Sequence, residues 1–203
     1  MKTKVLYLLI LLTSYSFLRM DLYAQGRYNI STYYNYSIRF EKSKFYYPLG
    51  LGSTISYKVS TKLFLSSGLE YSHFYEEDQM KITPGVYRTK EIQKESIFSL
   101  IAGVSYALFQ KKFIVRVGGD IVASRFWYGY DLYRYTVADD QLDTHQKYHN
   151  DSNGIGIRIR SDLQYSFSNN IRIFAQPGYT YYLLGEAKKK KMFNTSVGLT
   201  FIL

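Results

Sequence analysis

The sequence predicts an all-β fold, an eight-stranded antiparallel up-and-down transmembrane β-barrel, and three observations carry that expectation. Alternation of apolar and polar residues at period two recurs along the chain, while no stretch after residue 25 has the 3.6-residue period of a helix. The connections between the alternating stretches are in turn short and long, as in a barrel with tight turns at one rim and longer loops at the other. The last eight residues, SVGLTFIL, stay apolar at every second position up to the terminus, where chains are usually frayed and polar.

The N-terminus, MKTKVLYLLILLTSYSFLRMDLYAQG, has the layout of a secretory signal peptide: Lys2 and Lys4, then an apolar run from Val5 to Leu12, then a cleavage point after Ala24. The run is too short to span a bilayer, and Arg19 and Asp21 interrupt its extension. Residues 1–24 are therefore expected to be a signal peptide and residues 25–203 the barrel. Removing the signal takes three cations and one anion from a formal charge of +10, so the mature chain stays basic. An exported basic protein meets acidic lipid headgroups or sugars rather than nucleic acid. The absence of Cys excludes disulfides, thiolate catalysis and a cysteine-linked lipid anchor.

The strands follow in order. RYNISTYYNYSIRF opens the series. LGLGSTISYKV and KLFLSSGLEYSHFYEE are joined by a tight turn at Ser60–Lys62, SIFSLIAGVSYAL and KFIVRVGGDIVASRFWYGY by one at Gln110–Lys112, and GIGIRIRSDLQYSF and IRIFAQPGYTYYLL by one at Ser168–Asn169. MFNTSVGLTFIL closes it. Longer polar connections are expected at 41–47, 77–94, 129–152 and 185–190. With eight strands both termini lie at the short-turn rim.

Parity decides which face meets lipid. Arg39, Glu70, Arg116, Asp120, Arg158, Arg160 and Asp162 share one parity, and Ile30, Ile38, Leu51, Ile55, Leu65, Leu69, Val115, Val117, Ile155, Ile157, Ile159, Leu163, Val197 and Leu199 the other. A cation facing lipid at mid-membrane costs about 2–4 kcal/mol, so the charged set belongs in the lumen, where opposite signs can pair. Aromatics make up 18% of the chain, and Tyr28, Tyr71, Tyr75, Phe126, Trp127, Tyr128, Tyr130, Tyr179 and Tyr181 sit near strand ends, as interfacial girdles require.

Ser196, Gly198, Phe201 and Leu203 resemble, in register, the C-terminal assembly signal of Gram-negative outer-membrane barrels, which usually ends in Phe where this chain ends in Leu. Over residues 25–203 the chain resembles the small eight-stranded barrels of the OmpX or PorT-like type. The resemblance implies residence in the cell outer membrane, recognition of the last strand by the barrel-assembly machinery, and a monomer. Barrels of this class include adhesion and defence proteins, secretion accessories and lipid-modifying enzymes.

Functionally, the sequence points to a non-enzymatic barrel with a closed polar lumen. Its outer loops would contact an extracellular partner, a surface or lipopolysaccharide, with Lys188, Lys189, Lys190 and Lys191 facing lipopolysaccharide phosphates as point charges. One alternative is a lipid A acylase or deacylase. His73 with Ser72 and Glu76 would supply the nucleophile chemistry, but Ser72 and Glu76 have the opposite parity to His73, and Ser67, on the right face, lies far down the strand. A less favoured alternative is a secreted soluble barrel for an apolar ligand. On a helical turn His145 and His149, with Asp139, Asp140, Asp143 and Asp151 nearby, would share a face and could hold a metal; the alternative is a solvated outer loop of mixed charge. No cofactor and no metal are expected.

Overall fold

The computed structural model describes residues 28–41, 44–46, 49–77, 81–83, 87–136, 142–187 and 190–203. The expected signal peptide, residues 1–24, lies outside the described residues. The elements are β1 (Tyr28–Glu41), β2 (Lys44–Tyr46), β3 (Leu49–Lys58), β4 (Leu63–Glu77), β5 (Lys81–Thr83), β6 (Tyr87–Gln110), β7 (Phe113–Thr136), β8 (Leu142–Ser166), β9 (Ile171–Gly185) and β10 (Lys191–Ile202). Eight long strands pair antiparallel in sequence order, and β10 returns to β1 from Asn29↔Ile202 to Arg39↔Met192, so the sheet closes on itself. The short strands β2 and β5 are hairpin extensions of β1 and β6. Closure within one chain leaves no open edge in the barrel wall.

The alternation read from sequence sets the two faces. Along β8 the β-branched Ile155, Ile157 and Ile159 are 47%, 49% and 69% exposed, whereas Arg158 and Arg160 are 4% and 7% exposed. The wall is thus apolar outside and polar inside, the reverse of a soluble barrel. At the short-turn rim Tyr28 packs on Tyr57 and Phe113 on Tyr165, with ring centroids 5.0 and 5.6 Å apart. Lys62 and Lys112 lie over the Tyr106 and Tyr165 rings at 5.8 and 5.5 Å, aromatic bodies with cationic tips that suit a membrane interface.

Two expectations are corrected. The segments 77–94 and 129–152 are not mainly loops: β6, β7 and β8 run 24, 24 and 25 residues. At about 3.3 Å per residue each is about 80 Å long, well beyond an apolar band of about 25 Å. Their outer halves pair, Tyr87–Lys94 with Gly129–Thr136 and Gly129–Tyr135 with Leu142–His149, the second pairing shifting register once, between Arg134 and Tyr135. The cross-strand pairs there are polar and aromatic, so the ladder forms without the apolar face that marks a strand in sequence. The second correction concerns the girdle. Phe126 is fully buried and Tyr128 partly so, because both lie on the even, lumen-facing parity of β7. Trp127, Tyr71, Tyr75 and Tyr179 do face outward.

Candidate functional sites in the lumen and the outer sheet

Side chains fill the lumen in layers. At mid-height Arg158, on β8, donates from Nη1 and Nη2 to Glu70 Oε1 and Oε2, on β4, at 2.7 and 2.6 Å, and from Nε to Thr180 Oγ1 at 3.1 Å. The Tyr33 hydroxyl donates to the same Glu70 Oε1 at 2.9 Å. Tyr33 reaches it because Gly52 and Gly198 flank it on the neighbouring strands, where any Cβ would collide with Tyr33. One level toward the short-turn rim, Arg160 donates from Nε to Asp120 Oδ2 at 2.8 Å, from Nη1 to both Asp162 oxygens at 2.7 and 2.6 Å, and from Nη2 to Ser66 Oγ at 2.9 Å. Gln176 also donates to Asp162 Oδ1. Asp120 Oδ1 and Gln164 Oε1 adjoin a polar cavity of about 20 Å³, the size of a single water.

Toward the long-connection rim the lining turns apolar. Ser99 Oγ, Ser124 Oγ and the Tyr182 hydroxyl form a hydrogen-bonded chain at 2.7 and 2.8 Å. Above it Ile97, Phe126, Tyr182, Ala187 and Met192 pack together, Phe126 edge-on to Tyr182 at 5.2 Å. The β9–β10 turn dips inward to supply Ala187, held by its N–H to the Asn153 carbonyl at 3.2 Å. Gly185 starts that turn with a φ of 84°, which a residue with a side chain rarely adopts. The Lys190 ammonium stands over the Phe126 and Tyr128 rings at 4.6 and 4.3 Å.

The sequence-predicted lumen residues divide as follows. Glu70, Asp120, Arg158, Arg160 and Asp162 are buried and joined by the bonds above. Arg116 is buried but departs from the expected pairing: its guanidinium lies 3.7 Å from the centre of the Phe64 ring, and both oxygens of its cross-strand neighbour Asp162 are taken by Arg160. The side chain of Arg39 lies outside the described residues, as do Lys188 and Lys189. Lys190 turns into the lumen mouth, while Lys191 is exposed on the outer parity of β10. Ser196 and Gly198 face the lumen and Phe201 faces outward. Sequence reasoning missed Tyr33, Thr180 and Tyr182. Tyr33 had a signal, its shared parity with Asn29, Ser31 and Asn35.

Catalytic and metal geometries fare differently from the lumen. Ser72 is buried in the lumen while His73 faces outward, with Nδ1 3.0 Å from Ser96 Oγ on β6. His145 and His149 lie on a strand, not a helical turn, which spaces them about 13 Å apart. His145 stacks on Tyr133 at 4.2 Å, with Nε2 3.6 Å from Asp131 Oδ1. Among the described residues no group of three or more metal-ligating side chains forms.

In the outer sheet, β8 pairs with β9 only from Gly154 onward and the Asn153 carbonyl accepts from Ala187, so among the described residues Leu142–Ser152 keeps one edge without a strand partner. Residues 144–151 are exposed throughout. On the outward surface Arg125 and Asp151 pair at 2.7 Å and Lys94 and Asp131 at 3.5 Å.

Neither a family model nor a curated protein matches the chain. Solved structures do. Ail, the attachment invasion locus protein of Yersinia pestis, is 14% identical, covers 88% of this chain over 99% of its own and superposes with a TM-score of 0.56. The fold is that of the small outer-membrane β-barrels. A major outer membrane protein from Thermus thermophilus gives 0.53 at 12% identity, with 86% of this chain and 99% of that one covered. The outer membrane protein OprG from Pseudomonas aeruginosa gives 0.52 at 9% identity, with 89% and 97% covered. The expected location, the cell outer membrane, agrees with these neighbours and with the apolar outer wall. In an outer-membrane barrel the tight turns face the periplasm, and Tyr28 and Leu203 lie together at that rim here.

Proposed function

We propose that this outer-membrane barrel is a non-enzymatic, monomeric contact protein: a closed cylinder that carries the outer halves of β6, β7 and β8 beyond the membrane as a binding sheet. The observation that carries the reading is the edge of Leu142–Ser152, which has no strand partner among the described residues. An unpaired row of N–H and C=O groups is a template for another chain, and soluble proteins blunt such edges. The sheet is rich in tyrosine, which buries contact area at low entropic cost; Tyr130 and Tyr148 pair across it with ring centroids 5.9 Å apart. The exposed Lys147 on the sheet and Lys191 at the outer mouth offer point charges to lipopolysaccharide phosphates or sulfated sugars, whereas Lys94 and Arg125 are paired with Asp131 and Asp151. The neighbour Ail has been solved with the heparin analogue sucrose octasulfate, which supports trying that chemistry here.

The test is the double variant Lys147→Glu and Lys191→Glu, two exposed side chains. The variant barrel should still fold. Its binding to immobilised heparin or to lipopolysaccharide-coated surfaces should fall about tenfold or more, the loss of at least about 1.4 kcal/mol. Undiminished binding to both would overturn the reading.

Closure of the lumen rests on the two-layer ion-pair network and the apolar plug stacked above it. Eight strands leave an interior just wide enough for side chains to fill. Purified protein in planar bilayers should show no steady conductance of porin size. Stable, large, ohmic channels from the monomer would contradict it.

A further inference from the structure

The periplasmic end of the lumen holds a cavity of about 140 Å³ that plays no part in the proposed outer contacts. Its charged lining is of one sign. Arg116 and Arg172 project into it from β7 and β9, Lys58 from β3 and Lys111 from the β6–β7 turn, with Phe64 and Gln110 beside them, and no carboxylate side chain lines it. Arg116 is 3% exposed, its Nε has no hydrogen-bond partner, and Asp162 is already engaged by Arg160 and Gln176. Arg172 Nε is likewise buried without a partner. Two layers above, Arg158 pairs with Glu70, and one layer above, Arg160 is bonded to both Asp120 and Asp162, so among the described lumen residues Arg116 and Arg172 are the guanidinium groups with no ion-pair contact to a carboxylate.

Arg116 is deeply buried beside an Asp162 whose oxygens are hydrogen-bonded elsewhere, and Arg172 is partly buried with no carboxylate partner, so an anion in the cavity would supply the contact that both lack. The guanidinium fork matches the oxygens of a phosphate, and the flat face of Arg116 against Phe64 fixes its plane before any ligand arrives. The lysines add point charge at the rim. We infer that the periplasmic mouth of the barrel is a phosphate-binding site, with Arg116 and Arg172 as the ligating groups. The phosphate can come from a phospholipid headgroup of the adjoining leaflet or from free phosphate in the periplasm.

The test uses the full mature barrel in octyl glucoside, which carries no phosphate, with calorimetric titration of two probes: inorganic phosphate and dihexanoyl phosphatidic acid. Saturable binding of at least one is expected. Binding of the lipid alone assigns the site to a headgroup, and binding of inorganic phosphate assigns it to the free ion; either result supports the site. Arg172→Gln should weaken binding about tenfold or more, since hydrogen bonds to charged groups contribute the most. Arg116→Gln should do the same where its heat-modifiable gel mobility shows a folded barrel; Arg172, only partly buried, carries the test otherwise. Lys62→Gln, at the same rim but outside the lumen, should leave binding unchanged. Absence of saturable binding by both probes, or equal weakening by Lys62→Gln, would overturn the inference.

Discussion

Arg158→Ala is expected to lower the stability of the barrel by about 3–5 kcal/mol, more than any single lysine change at the outer rim. The substitution leaves Glu70 3% exposed and deprived of both charge-assisted bonds, with only the Tyr33 hydroxyl still donating to it. The cost lies in the stranded carboxylate rather than the lost attraction, so the effect should be largely reversible by removing the partner as well. Glu70→Met combined with Arg158→Met should recover most of the loss, because a buried ion pair and an apolar pair of similar volume are often close in free energy. Asp120→Ala should cost less than Arg158→Ala, since Arg160 keeps Asp162 as a partner. Lys191→Ala, exposed on the outer parity, should stay within about 0.5 kcal/mol of the parent. Urea unfolding in detergent reports on each variant through the single tryptophan, Trp127. An Arg158→Ala variant within about 1 kcal/mol of the parent, or a double variant no better than the single one, would refute this account.

The wall of the barrel was legible because lipid enforces a binary code. A residue on the outer parity of β8 meets hydrocarbon and one on the inner parity meets other side chains, so Ile155, Arg158, Ile159 and Arg160 declare their faces by type alone. Tight turns announce themselves for the same reason: a polar step between two apolar alternations has nowhere else to go. Beyond the membrane that code lapses. Water bathes both faces of the outer sheet, so Gly129–Thr136 and Leu142–Asn153 carry no alternation, and their pairing is specified by register with the strands below. Pairing inside the lumen was legible only as a set of charges. Arg116 shares parity with Asp162 and sits directly across from it, yet Arg160, two residues along β8 from Asp162, reaches both of its oxygens. Side-chain reach within a strand decides that contest, and parity is blind to it. The aromatic plug was misread for a related reason. Phe126 and Tyr128 lie near a strand end, as girdle residues do, but on the parity that faces in.

Gly198→Ala is expected to block closure of the barrel even where no assembly machinery is present. The C-terminal strand carries two kinds of information, and this glycine separates them. Ser196, Gly198, Phe201 and Leu203 fit a pattern that the assembly machinery would read, but Gly198 also has a packing role at the β1–β10 seam. A Cβ there would strike the Thr32 carbonyl oxygen and both Cα and Cβ of Tyr33, backbone and near-backbone atoms that cannot move aside without shifting β1. Tyr33 would in turn be driven from its hydrogen bond to Glu70, coupling the seam to the lumen network. Overpacking of this kind costs about 1–3 kcal/mol before that second loss is counted. Phe201 faces the membrane and packs into no comparable slot, so Phe201→Ala should refold in detergent close to the parent while accumulating unassembled in cells. Ser196→Ala, whose hydroxyl makes one long bond of 3.4 Å to Asn35 Oδ1, should refold with little change. Refolding from urea into octyl glucoside, followed by the gel-mobility shift of the folded barrel, distinguishes the three. Should Gly198→Ala refold as fast and as fully as the parent, the glycine serves recognition and not the seam.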